Sequence, residues 1–180
     1  EGRQSKVPVL VDGDKEIDDS GKIAAYLEET YPDAPSLELD ADVVEEADKI
    51  IGGIAFGAFF PFYAVDVHAV AKDEDKDYFR TSREGFLGAP LEQIADGRDE
   101  KLIESRKAIQ PLRDLLGDKQ WLHGDHPGYA DYIVLAFFAW IRGVATTPPL
   151  AAGDPLIDYI ERGFALYDGI GDLPGEPIAA

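Results

Sequence analysis

Asp19 and Ser20 are the residues whose types and spacing best suit binding chemistry, because they stand where a helix is predicted to begin. A side-chain oxygen at such a position accepts hydrogen bonds from the first backbone N–H groups of the helix. The same N–H groups also make a helix N-terminus a natural anion site. The two residues are therefore either caps alone or part of a site for a small anion, and the residue types leave both possibilities open.

A short hairpin precedes this helix. The β-branched segment Val7–Val11, the dipeptide Asp12-Gly13 and the return segment Lys15–Ile17 form a strand, a tight turn and a second strand. Pro8 has no N–H to donate, so it belongs at a strand's first residue or at a sheet edge. Because two strands are not stable alone, the hairpin must be part of a larger sheet.

Two other groups of residues could carry chemistry. His123 and His126 flank Asp125 in a predicted loop, but zinc needs three or four ligands and the chain has no Cys, so we expect no metal site. Asp131 lies in the first turn of an apolar helix that begins after Gly128, and we expect its carboxylate to accept backbone N–H groups there as a structural cap.

Helical periods fill the rest of the chain. Apolar residues at helical spacing predict a long helix from about residue 43 to 71, bent near Pro61, and a nearly all-apolar helix over 129–144. Further helices are predicted over 78–86, 91–94, 100–116, with a local interruption at Pro111, and 154–166, and residues 73–77 are predicted to be a charged break. The aromatic side chains between Phe56 and Tyr63 fall at spacings that are typical of a helix core.

Composition restricts the function classes. The 180 residues include 17 Lys and Arg against 36 Asp and Glu, a formal net charge of −19. This acidic balance disfavours nucleic acid and anionic membranes as partners. With 45% apolar residues the chain can nevertheless bury a core. No stretch has the roughly 18 consecutive apolar residues of a membrane span.

Two separated segments resemble the glutathione transferase family. Val7-Pro8-Val9-Leu10, the hairpin, Asp19-Ser20 and the segment 25–32 (AYLEETYP) resemble the second half of its thioredoxin-like domain. Residues 121–131, with Trp121-Leu122, Gly124-Asp125 and Pro127–Asp131, resemble the capping segment of its central helix. Three further pieces, around residues 78–84, 140–144 and 161–171, are similar to the fungal and bacterial etherase-related branch. Gly128 departs from the family pattern, in which many relatives carry Ser or Thr.

The resemblance implies an α/β plus all-α fold. Residues 1–34 would be the C-terminal part of a thioredoxin-like, glutathione-binding domain, and residues 41–180 an all-helical C-terminal domain. The resemblance also implies that a β-α-β unit, whose helix supplies the family's thiol-activating Ser, Cys or Tyr, precedes the hairpin, so no residue of this sequence is assigned that role.

The resemblance also assigns site residues. Ser20 would donate its hydroxyl and amide to the γ-glutamyl carboxylate of glutathione, and Asp19 would accept from the neighbouring ammonium group. Val7 would pair its backbone with the cysteinyl part as an added strand, Pro8 would hold that edge open, and Lys6 would reach the glycyl carboxylate.

A hydrophobic acceptor pocket is the second implied site, and we expect Phe59, Phe60 and Tyr63 to line it. Glutathione would be the co-substrate, without a metal, and an apolar or aromatic electrophile the second substrate. We further expect a homodimer in the cytoplasm. The alternative is a non-catalytic glutathione-transferase-like protein that binds apolar ligands, carbohydrate or a protein partner.

Overall fold

A computed structural model describes residues 7–169, 171, 175 and 177–179. Within this part of the chain both strands lie between Val9 and Asp18. The elements in chain order are β1 (Val9–Asp12), β2 (Lys15–Asp18), α1 (Ser20–Thr30), α2 (Ala41–Asp48), a π-helical segment (Lys49–Ala55), α3 (Phe56–Val70), α4 (Asp73–Leu87), α5 (Leu91–Ala95), α6 (Arg98–Ala108), α7 (Gln110–Leu116), α8 (Tyr129–Val144) and α9 (Leu156–Phe164). The predicted fold class, a partial α/β unit followed by a helical bundle, is confirmed.

The hairpin pairs its two strands antiparallel in the register Val9↔Asp18 to Asp12↔Lys15. Helix α1 contacts the hairpin beside its turn, because the hydroxyls of Tyr31 and Tyr26 donate to Asp12 Oδ2 at 2.7 and 2.8 Å. These two donors lower the pKa of the Asp12 carboxyl, since they stabilise its ionised form. The C-terminal half of α1 is thereby fixed against the turn of the hairpin.

A continuous helix from Ala41 to Val70 is the longest element, and its middle is π-helical. The amide of Phe56 donates to the carbonyl of Ile51, five residues earlier, so residue i+5 rather than i+4 lies above residue i. Ala55 is therefore buried and Ile54 is 38% exposed. This phase shift places Ala55, Phe59 and Tyr63 on one face of α3.

The same helix is long and apolar enough, by length and composition alone, to cross a membrane, with a mean hydropathy of 1.7 over its best window. The sequence lacks a run of about 18 purely apolar residues, but the mean hydropathy over this helix is high. Within the described structure this helix packs against α5, α6 and α8. Most of its buried residues belong to the main core, and Phe60 and Ala64 form a second, smaller cluster with Leu91 of α5. It is the core helix of the bundle.

Two predicted boundaries were wrong. Residues 73–77 form the first turn of α4 rather than a break, because Asp73, Glu74 and Asp75 are acidic groups at a helix N-terminus, where the helix dipole favours them. The interruption predicted at Pro111 within 100–116 lies two residues earlier, at Ile109, which leaves helical geometry (φ −89°, ψ 17°) so that Pro111 falls in the first turn of α7.

The segment between α1 and α2 connects the hairpin unit to the bundle. Glu28 of α1 accepts hydrogen bonds from the Ser36 hydroxyl (3.0 Å) and the Leu37 amide, and the Leu37 carbonyl accepts from the amide of Tyr129 at 2.6 Å. His126 Nε2 lies 2.9 Å from Glu38 Oε1. The start of α8 is therefore in direct contact with this connecting segment. The domain limits at residues 34 and 41 stay predictions.

Candidate functional site

The structure brings Val7, Pro8, Asp19 and Ser20 to one end of the hairpin. Val9 is paired with Asp18, and the strands are antiparallel. The residues just before Val9 and those just after Asp18 therefore lie at the same end. Val7 is 91% exposed, and the Val7–Pro8 peptide bond is cis. Lys6, predicted with this group, lies outside the described residues.

Asp19 is the N-cap of α1. Its Oδ1 accepts from the amides of Gly21 (3.0 Å) and Lys22 (3.2 Å), and its backbone has a positive φ of 75°. The capping hydrogen bonds use one carboxylate oxygen of Asp19 and do not involve the amide of Ser20. Within the described part of the chain, Asp19 Oδ2 and the Ser20 hydroxyl have no hydrogen-bond partner. The site thus retains two donors on Ser20 and one acceptor on Asp19.

This arrangement suits a group that carries an acid and an amine on one carbon. A carboxylate can accept from the Ser20 amide and hydroxyl at the positive end of the helix. An ammonium group can donate to the remaining Asp19 oxygen. The γ-glutamyl end of glutathione has this chemistry, so the described residues fit the co-substrate that the resemblance implies.

An open apolar groove of about 470 Å³ lies between α3, α4 and α8, and we call it the aromatic groove. It is lined by the π-helical Ile51 and by Phe56, Phe60, Val67, Phe79, Arg83, Ile133, Ala136, Phe137 and Trp140. Phe56 and Phe60 stack with ring centroids 4.7 Å apart, and the rings of Phe60 and Trp140 are 6.0 Å apart. Such a surface suits flat apolar molecules.

Of the three predicted pocket residues, only Phe60 lines the aromatic groove. Phe59 and Tyr63 are fully buried in the main core, where Phe59 packs edge-on against Phe137 and the Tyr63 hydroxyl donates to the carbonyl of Thr147 at 2.9 Å. Phe59 and Tyr63 lie four residues apart and share one face of α3, whereas Phe60 is rotated from Phe59 by about 100° and faces the groove. Tyr63 is also kept protonated, since burial raises the pKa of its hydroxyl.

The sequence prediction missed Phe56, Phe79, Arg83 and Trp140 as groove residues. Phe56 had a usable signal, because it stands one helical turn before Phe60 and shares its face. Trp140 was assigned to the buried centre of the bundle, whereas its helix also borders the groove. Phe79 and Arg83 lie on α4, and no local pattern shows which helix packs beside α3.

The predicted cap at the start of α8 lies in the core. Asp131 is fully buried, and its Oδ2 accepts from the amide of Gly128 at 2.8 Å, as expected from the sequence. Its Oδ1 also accepts from the amide of Leu122 and the hydroxyl of Tyr159, both at 2.9 Å. Asp131 therefore joins three segments of the bundle. Among the described residues no cluster of three or more His, Asp or Glu could hold a metal ion.

Comparison with known proteins agrees with the fold. Residues 1–35 match the N-terminal domain of glutathione S-transferases and residues 48–148, more than half of the chain, match the C-terminal domain. The chain belongs to the glutathione S-transferase family.

Individual relatives support the same assignment. The glutathione S-transferase-like protein ustS of Aspergillus flavus is 30% identical over 136 residues, which cover 68% of this chain and 49% of that protein. The structure is similar to CsGST83044 of Ceriporiopsis subvermispora, solved in complex with glutathione, with a TM-score of 0.66, 26% identity, and coverage of 91% of this chain and 67% of that chain.

GSTFuA3 of Phanerochaete chrysosporium has the same fold, with a TM-score of 0.68, 24% identity, and coverage of 92% of this chain and 66% of that chain. The chain thus spans about half the length of the curated relative and about two thirds of these solved structures.

Proposed function

We propose that this chain is part of a glutathione transferase that joins the sulfur of glutathione to apolar or aromatic electrophiles. The thiolate would attack an electrophilic carbon, forming a C–S bond while a leaving group departs with its electron pair, either in conjugation or in thiolytic cleavage of an aromatic ether. The etherase-like reaction, thiolytic cleavage of an aromatic ether, is the more specific part of this proposal. The group that activates the thiol is not assigned to any residue described here.

The observation that carries the proposal is the arrangement at the end of the hairpin. Ser20 has an amide and a hydroxyl available at the start of α1, and Asp19 has a free carboxylate oxygen beside them. In the proposed complex Ser20 binds the γ-glutamyl carboxylate and Asp19 its ammonium group. The exposed backbone of Val7 pairs with the cysteinyl part, Pro8 shapes the edge, and Lys6 reaches the glycyl carboxylate.

The acceptor would bind in the aromatic groove, with Phe60 as one of its walls. The parallel rings of Phe56 and Phe60 and the nearby Trp140 offer flat apolar surface to an aromatic molecule. We place the enzyme in the cytoplasm as a homodimer, as the family resemblance implies.

Retention of the full-length protein on glutathione-agarose, followed by elution with free glutathione, tests the binding part. A conjugation assay with a chloronitrobenzene and an aryl ether tests the chemistry. We expect retention and turnover of at least one electrophile. Failure to bind glutathione contradicts the proposal, and retention without turnover of any electrophile favours the non-catalytic alternative.

A further inference from the structure

Arg83 is a cation that lines the otherwise apolar aromatic groove. Its guanidinium carbon lies 5.1 Å from the ring centroid of Phe79, one helical turn earlier on α4. This contact holds the charged group against the wall of the groove. The only hydrogen bond that Arg83 makes within the described residues is a 3.3 Å donation to the hydroxyl of its neighbour Ser82.

The other described arginines have carboxylate or carbonyl partners. Four of them pair with acids, in the pairs Arg80 with Glu84 and Glu92, Arg98 with Asp66, Arg113 with Asp154, and Arg142 with Glu161. Arg106 and Arg162 donate to backbone carbonyls. Arg83 differs from all of them in a chain where acids outnumber Lys and Arg by 36 to 17. Its donors are therefore left for a partner from outside.

The groove also lacks a carboxylate among its lining residues, so Arg83 is its charged group. A guanidinium presents a planar set of N–H donors that matches a carboxylate or another ionised acid. The stacked rings of Phe56 and Phe60 would receive the apolar body of the same molecule.

We propose, resting on the proposed function, that the aromatic groove selects acceptors in which an aromatic ring system carries an ionised acid group. Arg83 is the specificity-determining residue that binds this group. The aromatic rings then contribute affinity that does not depend on charge, and Arg83 discriminates between acidic and neutral acceptors of the same shape.

Two fluorescent probes of the same ring skeleton test this directly. Anilinonaphthalene sulfonate carries an anion, and phenyl-naphthylamine lacks it. With the full-length protein we expect Arg83→Gln to weaken sulfonate binding by about tenfold, the loss of one charge-assisted contact, while the neutral probe changes by less than about twofold. Arg83→Lys keeps the charge but loses the planar donor set, so its sulfonate affinity should lie between those of the wild-type protein and Arg83→Gln.

Arg80→Gln is the matched control, because it removes the same charge from the same helix at a residue already paired with Glu84 and Glu92. It should leave the binding of both probes unchanged. Equal loss of both probes in Arg83→Gln, equal loss of the sulfonate in both variants, or no loss at all would overturn the proposal. Circular dichroism checks that each variant is folded.

Glutathione-agarose retention of the same variants separates this proposal from the preceding one. We expect Arg83→Gln to be retained like the wild-type protein. If the wild-type protein binds the sulfonate through Arg83 but not glutathione, the proposed function fails and the anion specificity of the groove stands. If it binds glutathione but neither probe, the specificity proposal fails alone.

Discussion

The hydroxyl of Tyr159 donates a 2.9 Å hydrogen bond to the carboxylate of Asp131, and both side chains are buried. The same carboxylate accepts the amides of Gly128 and Leu122, so it connects the start of α8 with the loop before it and with α9. Burying a carboxylate is costly unless its hydrogen-bonding capacity is used. Here three donors use it, and this explains how an acid can occupy the core of the bundle.

Asp131→Ala should destabilise the fold without weakening glutathione binding by the folded fraction. The substitution leaves three buried donors without an acceptor, and we expect a loss of about 3–5 kcal/mol in the free energy of unfolding. Asp131→Asn keeps one oxygen and should lose less. Urea unfolding and thermal melting measure the effect. Melting temperatures equal to that of the wild-type protein would show that the capping contacts contribute nothing.

Stability should fall at alkaline pH because of two buried tyrosines. Burial raises the pKa of Tyr63, and burial together with Asp131 raises the pKa of Tyr159. In the unfolded chain both ionise near pH 10, so above that pH the unfolded state binds fewer protons than the native state and stability decreases. The stabilising contribution is present below pH 10 and is lost as the pH rises further.

Urea unfolding of Tyr159→Phe between pH 8 and 11 checks this sign. We expect a shallower decrease of stability with pH than in the wild-type protein, by up to about 1.4 kcal/mol per pH unit for the one tyrosine removed. Tyr78→Phe, at a side chain that is 77% exposed, is the control and should leave the slope unchanged. An unchanged slope in Tyr159→Phe would contradict the prediction.

Gly128→Ala should be destabilising even though the backbone of Gly128 is extended (φ −117°, ψ −175°) and available to any residue. A Cβ there would overlap the ring of His123 and lie 3.0 Å from the Cβ of Glu38. Overpacking of this kind costs about 1–3 kcal/mol. Ser or Thr, the better N-caps in general, would meet the same ring.

The double variant His123→Ala, Gly128→Ala removes the ring and should recover part of the lost stability, as measured by a thermal double-mutant cycle. Gly85→Ala is the control, since a Cβ at Gly85 meets nothing within 4 Å and helix propensity favours Ala. Additive effects of the two substitutions would show that His123 is not the obstacle.

The close approach of His123 to Gly128 shows where sequence reasoning ends. Local signals were sufficient for the Asp12-Gly13 turn, the Asp19 cap and the limits of α8, because each depends on neighbours in the chain. The core positions of Phe59 and Tyr63 and the groove position of Arg83 depend on which helices pack together. Helix packing is tertiary structure that no local sequence pattern shows, so the residues of the aromatic groove were only partly predictable.

Arg98 and Asp66 form a nearly buried ion pair that should be sensitive to removal of one partner. Arg98 Nη1 contacts Asp66 Oδ2, Nη2 donates to the Thr146 hydroxyl at 3.0 Å, and that hydroxyl donates to Asp66 Oδ1 at 3.0 Å. Arg98→Met leaves the Asp66 charge buried and should cost about 3–5 kcal/mol. Asp66→Leu combined with Arg98→Met should cost less than Arg98→Met alone.

Chemical denaturation gives the free energy of unfolding of these variants, which is compared with that of Arg80→Gln. In this control the lost ion-pair partner, Glu92, is 59% exposed. We expect Arg80→Gln to cost much less than Arg98→Met, because water screens the interaction of an exposed pair. A loss in Arg98→Met no larger than in Arg80→Gln would show that burial does not strengthen the pair.

Asp19→Asn separates the cap of α1 from the proposed role of Asp19 in binding glutathione. The amide oxygen of Asn can still accept from Gly21 and Lys22, but the charge that would face the ammonium group is lost. We expect glutathione affinity to fall by about tenfold, in line with the loss of one charge-assisted hydrogen bond, and the melting temperature to change little. Asp40→Asn is a matched control, because Asp40 Oδ1 caps α2 through the amides of Asp42 and Val43 at the same 3.0 and 3.2 Å. Titration calorimetry should show normal affinity in Asp40→Asn, and equal affinities in all three proteins would mean that Asp19 is a cap only.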